Sequence, residues 1–237
     1  MPTLDLALRN LSETPFPYVT NDQFIDPQLY ARLRDTFPVC PPNTGPTGFS
    51  LFWGDDEYQR LLDSQPAWQE LFDAVHNQQF IDWGVRQFAN VWQSDGCRID
   101  MTKASYVHYL EDRIDKERHA LREVVHAPHE LFVRMDIYQG HVGYSRLIHH
   151  DYDRRVISML IYFCDQDEAG MRGGELVMHP KKFARWFKPS VTIHPRHNLM
   201  VAFPCSKRSW HSVPPIAAMV RPRNYIQVHI SSSVDAW

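Results

Sequence analysis

Between Leu131 and Ser233 the chain runs through seven short segments rich in β-branched and aromatic residues: LFVRMDIYQ, RVISMLIYFC, GELVMH, SVTIHP, NLMVAFP, SWHSV and RNYIQVHISSS. Gly and Pro clusters separate several of them, and no helical stretch lies between any two. Parallel neighbours need a long crossover, usually a helix, so strands that follow one another this closely must pair antiparallel. That excludes a βαβ fold and leaves an antiparallel sandwich or barrel.

The N-terminal half has a different period. Asp26 can cap a helix and Pro27 suits its first turn, with Leu29, Leu33 and Phe37 recurring on one face before Pro38. A second helix is expected from Pro66, with Trp68, Leu71, Phe72 and Val75 at i, i+3, i+4 and i+7. The highly charged stretch from Tyr109 to Glu130 reads as a solvated helix or as a cover over something, and the sequence leaves both open. With no repeat and no low-complexity linker, residues 1–237 are expected to form a single α+β domain with a mainly β core. Residues 1–130 are its mainly helical part, buttressing a double-sheet barrel at 131–232.

Composition narrows the partners. A net charge of −3 with no basic block argues against nucleic acid or an anionic membrane surface. No stretch approaches the ~20 apolar residues of a membrane span, and the opening residues lack the pattern of a secretory signal. Cys40, Cys97, Cys164 and Cys205 are far apart with no CxxC spacing, so reduced thiols in a cytoplasmic protein are expected. Oligomeric state is not legible.

The segment SRLIHHDYDRRVISMLIYFC, Ser145 to Cys164, sets two histidines and two aspartates against a strongly apolar run. On an extended backbone His149 and Asp151 share a face, while His150 points away. A third ligand must come from another strand, and His211 in SWHSV is suitably placed. Two histidines and one carboxylate on one side of a metal form the facial triad of non-haem Fe(II) oxygenases. In the carboxy-terminal strand, Arg223, Tyr225, Gln227 and His229 face one way, and a polar face inside a small barrel implies a polar ligand. Arg221 has the same parity, but Pro222 behind it marks a strand start or edge.

In order, HHDYDRRVISMLIYFC, GGELVMH, PRHNLMVAFP, SWHSV and RNYIQVHI resemble the Fe(II)- and 2-oxoglutarate-dependent dioxygenases, in particular their prolyl-4-hydroxylase-like branch, over about Phe132 to Ser231. The resemblance implies a double-stranded β-helix, a jelly-roll or cupin-like barrel. It assigns His149, Asp151 and His211 as metal ligands and catalytic centre. It implies Fe(II), 2-oxoglutarate and O2, with ascorbate as an accessory reductant. Arg223 is expected to anchor the distal carboxylate of 2-oxoglutarate, with Arg221 in reserve, because Tyr225 stands where the family commonly has Ser or Ala. Tyr138 and Tyr162 match co-substrate-binding positions, and read equally well as core aromatics. Asp153 and Arg154 form a surface pair or face the substrate, and HAPHE at 126–130 is a loop rather than a zinc motif. His179, His194, His197 and His229 read as strand-end or interior polar residues.

The implied reaction decarboxylates 2-oxoglutarate to succinate and CO2 while hydroxylating an unactivated C–H bond. The carboxylate ligand Asp151 argues against halogenation. A small-molecule substrate, such as an amino acid or derivative in a biosynthetic pathway, is the leading expectation. Hydroxylation of a protein residue is the alternative, and a non-catalytic binding barrel is the reading from another class. Ligands at a barrel rim are also expected to carry little packing, so that Asp151→Ala would leave the fold largely intact.

Overall fold

The computed structural model describes residues 3–42, 48–108, 126–180 and 190–237. Each of the seven expected segments forms a strand. They fall into two sheets, whose strands are labelled in chain order. The larger holds β1 (Val19–Asn21), β2 (Gly48–Leu51), β3 (Ser105–Tyr106), β4 (Glu130–Gly140), β6 (Arg155–Tyr162), β9 (Met200–Pro204) and β11 (Arg223–Ser231). Its order is β1-β9-β6-β11-β4-β2, with β3 parallel to the start of β4 and all other pairings antiparallel. The smaller holds β5 (Arg146–His149), β7 (Leu176–His179), β8 (Val191–Ile193) and β10 (Trp210–Val213), in the antiparallel order β5-β10-β7-β8.

Period-2 alternation divides the large sheet into two faces. Val133, Met135 and Ile137 of β4, Met159 and Ile161 of β6, and Ile226, Val228 and Ile230 of β11 join one apolar cluster with the N-terminal helices. Tyr138, Leu160, Tyr162 and Tyr225 turn the other way and pack with Leu176 and Met178 of the small sheet. One core therefore lies between helices and large sheet, and a second between the two sheets.

The α-helices among the described residues are α1 (Pro27–Asp35), α2 (Asp56–Ser64), α3 (Pro66–Val75), α4 (Gln78–Gln87) and α5 (Ala89–Ser94). Asp26 caps α1 as expected, its side chain accepting from the amides of Gln28 and Leu29 at 3.0 and 3.2 Å. The helix stops at Asp35, short of Phe37, yet Phe37 still packs on Trp68 of α3. Helix α4 approaches the sheet at Gly84, where a Cβ would meet the Cδ1 atoms of Ile157 and Ile230 at 2.8 Å. Asn198, at φ 62°, holds the segment before α1 against β9: its amide side chain accepts from the Ile25 amide and donates to the Ile25 carbonyl.

Three features were not visible as strands or helices in the sequence. The N-terminal part contributes β1, β2 and β3 to the large sheet, and α2, α4 and α5 were not read from the sequence. The stretch around the paired histidines is only partly extended: β5 ends at His149, and Asp151 lies in the turn before β6. Most of the charged stretch, residues 109–125, lies outside the described residues, and HAPHE at 126–130 is a turn leading into β4.

Candidate active site

An inner strand of the small sheet, β10, sets His211 directly opposite His149 of β5, with ring centroids 4.3 Å apart. Asp151 reaches them from the turn after β5, and one ligand atom from each of the three lies within 4.8 Å of the others. The strand-parity argument thus picked the three residues that the structure brings together, through a partly wrong backbone. Asp151 is oriented by an ion pair at 2.9 Å with Arg155, at the start of β6, rather than by an extended chain.

Each histidine is held with one nitrogen free. His149 Nδ1 donates to the Leu147 carbonyl at 2.7 Å and His211 Nδ1 to the Ser209 carbonyl at 2.9 Å. A carbonyl can only accept, so both Nδ1 atoms carry a proton, and in the neutral ring Nε2 is left as the lone-pair atom, the arrangement usual for metal-ligating histidine. Burial lowers the pKa of His211, favouring its neutral form. Burial opposes ionisation of Asp151, but neighbouring positive charge, that of Arg155 first, outweighs it and holds the carboxyl well below its usual range. Two imidazoles and an ionised carboxylate grouped within reach of one ion are the donor set of a facial triad, so these residues fit the implied Fe(II).

A cavity of about 630 Å³ opens on this group. Its lining includes Tyr138, Tyr144, Arg146, Arg155, Arg223, Tyr225 and Gln227. Arg223 is fully buried. Its Nε donates to the Gly174 carbonyl at 2.7 Å and its Nη2 to the Tyr162 hydroxyl at 3.3 Å. Nη1 has no partner among the described residues. The accepting carbonyl belongs to the second glycine of GGELVMH. Both glycines have positive φ, and a Cβ at Gly173 would come within 2.0 Å of the Pro215 carbonyl oxygen, so only glycine permits this approach. A buried cation with an unsatisfied donor facing a polar cavity suits one end of a dicarboxylate. Arg221 is exposed.

The remaining expected residues divide. Tyr138 lines the cavity and stacks on Tyr225 at 5.1 Å. Tyr162 does not line it, and meets Arg223 instead. His150 packs edge-on against Trp210, and Asp153 pairs with Lys207. His179 bridges Ser190 and Ser212, and His229 meets Ser158. Sequence reading missed Arg155, four residues after Asp151, and Tyr144, whose hydroxyl lies 2.8 Å from that of Tyr225.

Residues 132–230 match the family model of the 2OG-Fe(II) oxygenase superfamily. No curated protein matches the chain. Among solved structures, an oxidoreductase of the 2OG-Fe(II) oxygenase family from Burkholderia pseudomallei is similar with a TM-score of 0.55 and 13% identity, covering 92% of this chain and 85% of that one. A Pseudomonas putida prolyl-4-hydroxylase gives 0.52 and 14%, covering 91% and 92%. A prolyl 4-hydroxylase structure from Phytophthora capsici gives 0.53 and 16%, covering 92% and 60%. At such identities the likeness is one of fold, the double-stranded β-helix.

Proposed function

We propose, from the match of residues 132–230 to the 2OG-Fe(II) oxygenase superfamily model, that the chain is an oxygenase of that kind and hydroxylates an unactivated C–H bond of a small metabolite, an amino acid or derivative. The observation that carries this reading is the single cavity joining the His149, Asp151 and His211 group to the unsatisfied guanidinium of Arg223. A volume of about 630 Å³ is in the range of small-molecule sites.

In this reading His149 Nε2, His211 Nε2 and an Asp151 oxygen hold Fe(II), and Arg155 keeps the carboxylate ionised and aimed. Arg223 binds the distal carboxylate of 2-oxoglutarate, while Tyr138 and Tyr225 wall the cavity and exclude water. Tyr162 acts through Arg223, by fixing the plane of its guanidinium. Bound iron, with O2 and 2-oxoglutarate, supplies the oxidising power, and the 2-oxo acid leaves as succinate and CO2. Iron- and 2-oxoglutarate-dependent succinate release, measured without and then with a metabolite panel, tests the reading. Stimulation by a metabolite supports it, and stimulation only by peptides or proteins refutes the metabolite assignment.

A second reading, hydroxylation of a residue in a protein, is favoured by β5. It is an edge strand that exposes Leu147 and Ile148 beside the site, and an open edge can accept an extended peptide. No helix among the described residues is long and apolar enough to cross a membrane. All four cysteines are free, which suits a reducing compartment such as the cytoplasm.

A further inference from the structure

Strands β5 and β10 do not pair in simple register. His211 lies opposite His149, but Val213, two residues further on, lies opposite Arg146, three residues back. The pairing therefore leaves one extra residue in β5. In a regular strand three residues would turn Arg146 to the face opposite His149. The bulge cancels that reversal, which is how bulges near active sites re-aim a side chain. His211 and Val213 share the face of β10 that lines the cavity, and Arg146 and His149 both line it as well.

Tyr144 holds the guanidinium in place. Arg146 Nε donates to its hydroxyl at 3.3 Å, and the guanidinium carbon lies 5.5 Å from the ring centroid. Among the described residues no carboxylate lies within ion-pair distance of Arg146. The cavity lining carries three arginines, Arg146, Arg155 and Arg223, against one carboxylate, Asp151. Asp151 is taken by Arg155, and the proposed co-substrate neutralises Arg223. One cation remains: Arg146, an exposed residue on the cavity wall with no carboxylate partner among the described residues.

Resting on the metabolite-oxygenase reading, we propose that Arg146 binds a carboxylate of the primary substrate, so that the substrate is a small carboxylic acid such as an amino acid. A guanidinium fork matches a planar carboxylate with two parallel charge-assisted bonds. A phosphate monoester, with its higher charge, would call for a second cation, and the other two arginines are engaged.

The test uses the full chain loaded with zinc(II) in place of iron and saturated with 2-oxoglutarate. It is titrated calorimetrically with L-amino acids and short aliphatic carboxylic acids, with their matching amides, and with simple phosphate monoesters. At least one acid binds, its amide binds about 10- to 100-fold more weakly, and Arg146→Gln binds the acid as weakly as the amide. Arg146→Lys, which keeps the charge without the fork, falls between. A melting temperature near that of the wild type shows that the variants are folded. Binding by no acid, equal binding of acid and amide, a preference surviving in Arg146→Gln, or phosphate esters binding in place of acids each overturns the proposal. Iron-dependent succinate release by the wild-type chain tests the underlying reading separately. If release persists while the acid preference fails, only the role of Arg146 falls.

Discussion

Replacing Arg223 probes the deepest part of the cavity. The side chain is fully buried, with Tyr225 and Tyr162 ring centroids 4.4 and 5.1 Å from its guanidinium carbon. Two of its three nitrogens already donate, Nε at 2.7 Å and Nη2 at a weaker 3.3 Å, while Nη1 is unsatisfied. A carboxylate would gain a full charge-assisted bond from Nη1 and part of a second from Nη2. At about 1.5–3 kcal/mol for a bond to a charged group, the sum is about 3 kcal/mol, or ~100-fold in affinity. Arg223→Ala should therefore weaken 2-oxoglutarate binding ~100-fold. It should also lower stability, because the Gly174 carbonyl loses its donor and a void opens beside two tyrosines. Arg223→Lys keeps the charge but not the fork, and should lose ~10-fold with a smaller stability cost. Calorimetric titration of the metal-loaded protein with 2-oxoglutarate, beside thermal melts, separates the two effects. Arg221→Ala, at an exposed position, should change neither. If Arg221→Ala weakens binding and the Arg223 variants do not, the assignment is refuted.

Asp151→Ala should cost about 3–5 kcal/mol of stability in the metal-free protein, because it strands the partly buried Arg155 without its carboxylate, and chemical denaturation of the variant measures this. That corrects the expectation from sequence that a ligand at the barrel rim carries little packing. Asp151→Asn, which keeps an acceptor for Arg155, should cost less. His76 lies at the end of α3, stacked on Phe72 at 3.7 Å, with Nε2 unpartnered among the described residues, and burial lowers its pKa to about 4. The unfolded chain binds this proton from about pH 6.5 downward and the folded chain only near pH 4. Stability is thus complete above pH 6.5, and about 3 kcal/mol is lost as pH falls to 4. Denaturation of wild type and His76→Phe across this range should show a flatter acid limb for the variant, and parallel limbs would count against the assignment.

The barrel was legible because its signals are local. Alternation in RNYIQVHI set Arg223, Tyr225 and Gln227 on the interior face and Ile226, Val228 and Ile230 on the helix face, as the structure has them. Asp26 and Pro27 likewise carried their helix start in two residues. What stayed hidden depends on contacts distant in sequence. Nothing near Gly48 or Val19 announces that these short strands extend a sheet whose other members begin at Glu130. The ion pair that turns Asp151 inward, and the bulge that brings Arg146 round, exist only once β5, β6 and β10 are assembled. A strand-parity rule applied to HHD assumes an extended backbone that the turn after His149 does not have. It selected the same three residues because the turn and Arg155 deliver Asp151 to the face that alternation would have given.

The central claim is that His149, Asp151 and His211 hold one metal ion that the chain uses with 2-oxoglutarate. Anaerobic titration with Fe(II), followed by succinate release on admitting O2 and 2-oxoglutarate, tests it in one preparation. The account predicts one tightly bound ion per chain, and loss of both the ion and succinate release in each of His149→Ala, Asp151→Asn and His211→Ala, with His150→Ala unaffected. Stoichiometric iron binding that survives removal of any one of the three, or that is lost in His150→Ala, would contradict it.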